Sequence, residues 1–220
     1  MDHYRHREWH SKNYGTEDVA PFLQSLIALS RPQRILEIGV GYTTPFLVEG
    51  IERNKDMIFD RNTDREYLDK IHNPKMVIID DYSSGVSASG NVDNIQYLLS
   101  KCDYVELVNG KFQGKANDLH QKYGTFDFVW FDCGGPEEYE SFIKEYWDIC
   151  SDYVIFHFTY TYNKPNIMLE TILKNVKGTY FRMDIQEPHK WRQSGLTVLR
   201  KAPVPQVGDS FYSEGIEEWG

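Results

Sequence analysis

The residues of this chain whose types and spacing best suit ligand binding form a short turn after an apolar stretch. Glu37 ends that stretch, Gly39 and Gly41 follow, and the hydroxyls of Thr43 and Thr44 come next. Glycines let a ligand approach the backbone, because a Cβ atom would block it. The amphipathic residues that follow predict a helix, whose first N–H groups would face the ligand. A strand, a glycine turn and a helix predict a cradle for a nucleotide-like ligand.

The spacing of the glycines distinguishes between two kinds of ligand. The dinucleotide fingerprint G-x-G-x-x-G needs a third glycine where this chain has Thr44. What remains, an apolar residue followed by Glu-x-Gly-x-Gly, resembles the first motif of the class I S-adenosylmethionine-dependent methyltransferases. The resemblance implies that S-adenosylmethionine is the cofactor and that the turn lies under its methionine part. The implied contacts come from Glu37, Gly39, Gly41, Tyr42, Thr43 and Thr44, with the threonine hydroxyls near the cofactor carboxylate. A valine at position 39 would then block the ligand and leave the fold intact.

A second acidic residue follows the next apolar strand. Asp80 ends the sequence KMVIID, and the resemblance implies an acid here that binds both ribose hydroxyls. A carboxylate suits that place because it accepts two hydrogen bonds side by side. Asp81 and Asp60 are the alternatives, and Asp60 would end a short eighth strand formed by residues 57–60.

The expected adenine contact departs from the family pattern. Many family members have an acid after the glycine that ends the third strand, whereas this chain has Lys111 after Gly110. A lysine cannot accept a hydrogen bond from the adenine amino group. Phe112 could instead stack on the base or offer its backbone N–H.

The ends of the fourth and fifth predicted strands carry Asp132 and His157. Metal-dependent catechol-type family members hold Mg²⁺ with an acid at the first position and an Asp-Asn pair at the second. Here the pair is replaced by His157-Phe158, so we expect no catalytic metal. Asp132 could bind the cofactor amine, orient a substrate or ligate a metal, and a transition metal held by Asp132 and His157 would need a third ligand that the sequence does not offer. His157 is the candidate base, because imidazole accepts protons near neutral pH. Both residues are predicted to face the transferred group. His157 could equally brace the sheet, and methyl transfer can proceed by positioning alone.

Aromatic residues make up 15% of the chain. Several lie in segments predicted to surround the site, where they could line a pocket for a flat or cationic substrate. They could equally pack the N-terminal segment onto the sheet. The residues predicted to contact the substrate are Trp9, Tyr14, Tyr160 and Trp191.

The remaining pattern alternates apolar strands with amphipathic helices. This predicts a three-layer, Rossmann-like α/β sandwich with a seven-stranded, mostly parallel sheet and a C-terminal antiparallel hairpin. Predicted strands cover 34–38, 75–80, 104–108, 126–132, 153–157, 179–185 and 196–200, and predicted helices cover 17–29, 45–53, 64–71, 92–101, 116–123, 136–149 and 167–176.

Composition limits the organisation and the partners. The 220 residues suit one domain, 1–220, with an N-terminal lid segment, 1–16, and a C-terminal tail, 203–220. A formal charge of −9 argues against nucleic-acid binding and favours a small-molecule substrate. No apolar run is long enough to cross a membrane. Three cysteines without metal-type spacing indicate a reducing, cytoplasmic location. A homodimer is left open.

The resemblance implies an enzyme that transfers a methyl group from S-adenosylmethionine to oxygen or nitrogen of a small metabolite. Two alternatives keep the cofactor. In one, the aminocarboxypropyl chain is attacked and methylthioadenosine is released. In the other, the chain is a non-catalytic binding subunit.

Overall fold

The computed structural model describes residues 6–10, 15–55, 73–82, 85–134, 136–161, 164–176, 178–191 and 194–201. Tyr14, Asp60 and the predicted helix 64–71 lie outside these ranges. So do the alternative strand at 57–60 and the predicted C-terminal tail.

The described residues form one sheet. Its strands are β1 Arg34–Ile38, β2 Lys75–Asp80, β3 Val105–Asn109, β4 Phe126–Phe131, β5 Cys150–Thr161, β6 Lys164–Pro165, β7 Phe181–Ile185 and β8 Ser194–Arg200. The strand order is β3-β2-β1-β4-β5-β8-β7. Strands β1 to β5 are parallel to one another, and β8 runs antiparallel between β5 and β7. The predicted parallel sheet with a C-terminal antiparallel hairpin is thereby confirmed.

Helices cover both faces of this sheet. They are α1 His6–Trp9, α2 Val19–Ser30, α3 Thr43–Lys55, α4 Gly85–Lys101, α5 Ala116–Tyr123, α6 Pro136–Tyr146 and α7 Ile167–Leu173, with a 3₁₀ turn at Trp147–Ile149. Residues of α2, α3 and α4 join one buried apolar cluster, and residues of α5, α6 and α7 join the cluster on the other face. The predicted three-layer arrangement is therefore confirmed.

The central strands are buried on both faces, as their unbroken apolar sequences indicate. Phe128, Val129 and Trp130 of β4 are fully buried. On one face, α2 lies close against α3. A Cβ atom on Gly50 would come within 2.8 Å of the Gln24 carbonyl oxygen, so this glycine permits the close approach.

Element boundaries differ from the prediction in two informative places. Helix α4 begins at Gly85 rather than at residue 92, so it is seven residues longer than predicted at this end. Strand β5 continues to Thr161, four residues beyond its predicted end. Its extension pairs with β6, which follows it closely in the chain, and with β8, which is distant in sequence. Strand β6 is an additional two-residue strand that the sequence did not indicate.

No helix in the described ranges has the length and apolar character needed to cross a membrane.

Candidate cofactor and substrate site

Four predicted site residues lie side by side at the carboxyl edge of the sheet. Ile38 is in register with Ile79 of β2 and with Phe131 of β4, and Phe131 is in register with Phe156 of β5. The residues that follow Ile79, Ile38, Phe131 and Phe156 therefore lie in one row. This row runs from Asp80 through Gly39 and Asp132 to His157. It lies where open α/β sheets bind their ligands.

A side chain would meet different surroundings at the two glycines of the turn. Gly39 has a φ of +98°, and a Cβ atom there would lie 2.2 Å from the backbone oxygen of Asp132. Glycine is thus required at position 39 by the protein itself. A Cβ atom on Gly41 would have no neighbour within 4 Å. The expectation that Gly39→Val would leave the fold intact is therefore wrong, and Gly41 is the position where added bulk would point into open space.

Asp80 connects the glycine turn to the end of β2. Its Oδ2 accepts a hydrogen bond from the Val40 N–H at 2.7 Å, and its Oδ1 accepts one from the Tyr82 N–H at 2.5 Å. Burial raises the pKa of this carboxyl, although the two backbone donors oppose the shift. Each carboxylate oxygen keeps a second lone pair. Asp80 is therefore held rigidly and can still accept hydrogen bonds from a ligand.

A cavity of about 140 Å³ lies beside Asp80. Its walls include Gly39, Asp80, Asp81, Gly110, Lys111 and Phe112. The ring of Phe112 turns away into the core, where it contacts Phe131 edge to face with ring centroids 5.5 Å apart. Of the two predicted roles of Phe112, the backbone contact fits this position better than ring stacking. Lys111 is exposed at the rim.

The two threonines of the turn bind to the protein. The Thr43 hydroxyl donates to Glu37 Oε1 at 2.9 Å and accepts from the Trp130 indole N–H at 3.1 Å. Thr44 Oγ1 accepts a hydrogen bond from the Gly41 N–H at 3.0 Å. Both side chains are fully buried. A carboxylate only accepts hydrogen bonds, so Thr43 would have to exchange its bond to Glu37 to make the predicted contact with a cofactor carboxylate.

Glu37 lies beneath the turn with no exposed surface. Burial raises its pKa well above the usual range, and the hydrogen bond from Thr43 opposes this shift. The negative charges of Asp132 and Asp80 raise the pKa further. Glu37 therefore supports the turn from below through its hydrogen bond with Thr43.

His157 and Asp132 form a pair. The distance from His157 Nδ1 to Asp132 Oδ1 is 2.8 Å, and the side chains are 0% and 12% exposed. The imidazole lies against Trp130, with ring centroids 5.5 Å apart, and against Phe158, at 3.9 Å. His157 Nε2 is buried and has no hydrogen-bond partner among the described residues. The pair thus has one unused ring nitrogen on the histidine and a partly accessible carboxylate.

The predicted substrate residues occupy different environments. Trp9 is 3% exposed and belongs to the apolar cluster of α2 and α3, so its position favours packing over substrate contact. Tyr160 is partly buried in the extension of β5, and Trp191 is 77% exposed. Trp191 follows Lys190, which donates to the Gly15 carbonyl oxygen at 2.6 Å. The loop after β7 thereby meets the chain just before α2.

Several residues at the site were not among those predicted from the sequence. Gln113, Cys133, Gly134 and Glu138 also line the cavity beside Asp80. Cys133 and Gly134 could have been found, since they directly follow Asp132 at a strand end. Glu138 lies on α6, and only the tertiary packing brings it to the cavity.

Tyr42, which was predicted to contact the cofactor, contacts His10 and Phe46 with ring centroids 5.4 Å and 5.1 Å apart. These contacts pack the N-terminal segment onto α3.

Within the described part of the chain, no group of three or more His, Cys, Asp or Glu side chains could hold a metal ion.

No protein-family model matches the chain, and no curated protein matches its sequence. Solved structures are nevertheless similar in fold. A methyltransferase of Podospora anserina with bound S-adenosylhomocysteine is 17% identical, with a TM-score of 0.61 over 92% of this chain and 89% of that one. An O-methyltransferase of Bacillus cereus, also with S-adenosylhomocysteine, is 15% identical, with a TM-score of 0.58 over 90% and 87%. The O-methyltransferase TomG of Streptomyces achromogenes, with S-adenosylmethionine, is 16% identical, with a TM-score of 0.58 over 92% and 91%. Together with the strand order, these similarities show that the chain has the class I methyltransferase fold.

Proposed function

We propose that this protein is an enzyme that transfers a methyl group from S-adenosylmethionine to oxygen or nitrogen of a small metabolite. The observation that carries the proposal is the carboxylate of Asp80. It is fixed by the Val40 and Tyr82 N–H groups and lies on the wall of the cavity beside the glycine turn. The similar solved structures support the choice of ligand, since they contain S-adenosylmethionine or S-adenosylhomocysteine and are named methyltransferases.

The residues at the carboxyl edge fit this cofactor. Asp80 has lone pairs for the two ribose hydroxyls, and Asp81 lies beside it on the same wall. The open space over Gly41 allows a ligand to approach the backbone. The Gly110–Phe112 backbone would border the adenine, and Asp132 would accept a hydrogen bond from the cofactor amine. When bound, S-adenosylmethionine supplies a methyl group on a positively charged sulfur.

The chain's own contribution to the reaction is to hold the acceptor and remove its proton. If Nδ1 of His157 donates to Asp132, Nε2 has a free lone pair that can accept a proton from a hydroxyl or amine. This arrangement, in which a carboxylate orients an imidazole through Nδ1, is the one used by general-base histidines. Because the imidazole is buried, the acceptor has to reach Nε2 within the protein, where water competes less for the reacting groups.

The site residues do not form an arrangement that requires a metal. Asp132 is paired with His157, and that histidine occupies the place of the Asp-Asn pair expected in metal-dependent members. We therefore propose metal-independent transfer. We also propose that residues 1–220 form one domain, with segment 1–16 acting as a lid, that the protein works in the cytoplasm on a small molecule, and that it has no nucleic-acid partner.

Cofactor binding is the first test. Titration calorimetry with S-adenosylhomocysteine, S-adenosylmethionine and NAD should give binding for the first two ligands and none for NAD. Binding of NAD alone would contradict the proposal.

The second test identifies the carbon that is transferred. Incubation with a metabolite extract and S-adenosylmethionine labelled in the methyl group should place the label in a product and release S-adenosylhomocysteine. Release of methylthioadenosine would favour attack on the aminocarboxypropyl chain. Binding without any turnover would favour a non-catalytic subunit.

A further inference from the structure

Strand β5 contains a bulge immediately after His157. His157 is in register with Leu196 of β8, and the next paired residues are Tyr160 and Ser194. Two residues on β5 therefore stand opposite Gly195 alone. A bulge of this kind bends its strand and re-aims the adjoining side chains, and such bulges are frequent beside active sites.

The bulge has an unusual backbone on both strands. Phe158 has a φ of +60°, which is uncommon for a residue with a side chain, and Gly195 has a φ of +71°. A Cβ atom on Gly195 would lie 2.7 Å from the Tyr160 ring and 2.9 Å from the Ile185 carbonyl oxygen. The surrounding packing thus fixes the bulge in place, as is required where a side-chain-bearing residue adopts a left-handed conformation.

A side chain from helix α6 holds the backbone of β5 at the bulge. The hydroxyl of Tyr139, on α6, donates a hydrogen bond to the His157 carbonyl oxygen at 2.6 Å. Tyr139 is 3% exposed, and its ring lies 5.7 Å from the rings of both Phe131 and Phe156. Burial and the charge of Asp132 raise the pKa of Tyr139, so the hydroxyl keeps its proton at neutral pH.

We propose that Tyr139 is a positioning residue, whose hydroxyl fixes the bulge of β5 and thereby holds the imidazole of His157 against Asp132. The chain of contacts is short. The hydroxyl binds the carbonyl of the same residue whose Nδ1 lies 2.8 Å from the carboxylate. The catalytic meaning of this contact rests on the proposed function, but the geometry that it controls does not.

Nuclear magnetic resonance tests the geometry without turnover or cofactor. Protein with ¹⁵N-labelled histidine reports the hydrogen-bonded Nδ1 of His157, which Asp132→Asn identifies by shifting its signal. In Tyr139→Phe, only the hydroxyl is lost. We expect the His157 signals to move and the Nδ1 proton to exchange with solvent about fivefold faster, as the loss of one buried hydrogen bond predicts.

Tyr180→Phe is the matched control. The Tyr180 hydroxyl also donates to a backbone carbonyl, that of Leu173 at 3.0 Å, on α7. This variant should lose comparable thermal stability and leave the His157 spectrum unchanged. Wild-type His157 signals in Tyr139→Phe would overturn the proposal, as would an equal change in both variants. In the wild type, a Tyr139 hydroxyl proton in rapid exchange with solvent would also overturn it, whether or not the variant folds.

The outcome is separable from that of the proposed function. Failure of wild-type protein to bind S-adenosylhomocysteine would reject the methyltransferase proposal and leave the Tyr139 result standing. If methyl transfer is established, Tyr139→Phe should lower kcat and leave the Kd for S-adenosylhomocysteine unchanged.

Discussion

Asp80 and Val40 join two neighbouring strand ends through one hydrogen bond, in which the Val40 N–H donates to the Asp80 carboxylate at 2.7 Å. The same carboxylate also accepts from the Tyr82 N–H. A side chain held by two backbone donors has little conformational freedom left to lose when a ligand binds. This relationship makes Asp80 both a structural link and the best-prepared acceptor at the site.

The chain offers a matched pair of variants for this residue. Asp127 also accepts two backbone hydrogen bonds, from the Gln33 N–H at 2.9 Å and the Arg34 N–H at 2.7 Å, and burial likewise raises its pKa. Asp127 is the second residue of β4, so it lies near the opposite edge of the sheet. We expect Asp80→Asn to weaken S-adenosylhomocysteine binding by about 10- to 100-fold, the loss typical of hydrogen bonds to a charged group. Asp127→Asn should lower the melting temperature without changing the affinity. Equal affinities of the two variants would remove Asp80 from the cofactor site.

The pH dependence of binding provides an independent prediction for Asp80. Burial raises its pKa in the folded protein, and protonation removes the acceptor that the ribose needs. The affinity for S-adenosylhomocysteine should therefore fall on acidification, beginning at a higher pH than an ordinary aspartate would cause. The contribution of Asp80 to folding stability changes with pH in the opposite direction from its contribution to binding. A carboxyl with a raised folded pKa contributes stability at low pH, and this contribution is lost as the pH rises through the folded pKa. Calorimetric titrations at a series of decreasing pH values should show the loss of affinity in wild type. The affinity of Asp80→Asn should depend less on pH.

The two glycines of the turn should respond differently to substitution. Gly41→Val places its side chain in open space, so the protein should stay folded while S-adenosylhomocysteine binding is lost. Gly39→Ala puts a Cβ atom against the Asp132 carbonyl at a left-handed backbone position, and this variant should be strongly destabilised. Thermal melts and calorimetry of both variants check the prediction. A folded Gly41→Val that binds with wild-type affinity would show that the ligand does not approach this turn.

Sequence alone predicted the layers, the mostly parallel sheet with its antiparallel hairpin, and the strand ends that carry Asp80, Asp132 and His157, because these follow from hydrophobic periodicity. Strand β2 ends at Asp80 as predicted, since its apolar run stops there. Local patterns could not predict features that depend on distant partners. The bulge after His157 arises from pairing with β8, and the sharing of Thr43 between Glu37 and Trp130 needs three separate elements. The steric role of Gly39 was hidden for the same reason, because the carbonyl that it avoids belongs to β4's continuation.

Metal independence is predicted from Asp132, which follows β4, and from His157 and Phe158 at the bulge of β5. Turnover should be unchanged in EDTA, because His157 and Phe158 replace the oxygen ligands that Mg²⁺ prefers. The measurement compares initial rates before and after chelation, and after addition of Mg²⁺. Activity that disappears with EDTA and returns with Mg²⁺ would contradict this prediction and would make Asp132 a metal ligand.

The roles of His157 and Asp132 can be separated by combining rates, affinity and stability. Replacing His157 by Ala should lower turnover by roughly 10²-fold or more if the imidazole is a general base. The affinity for S-adenosylhomocysteine should barely change, because the base contacts the acceptor. Loss of a fully buried imidazole also leaves a cavity, so the melting temperature should fall whichever role is correct.

Stability therefore cannot decide between the two roles of His157, and the pH–rate profile has to do so. With a general base, the wild-type rate should rise with pH, and this limb should be absent in His157→Ala. Asp132→Asn keeps the size of the side chain but weakens the orientation of the imidazole, so it should lower kcat and retain the limb. His120→Ala, at an exposed histidine on α5, serves as the control and should match wild type in rate and profile. A flat wild-type profile, with turnover retained in His157→Ala, would leave positioning of the acceptor as the protein's contribution, because no proton would then be removed by this histidine.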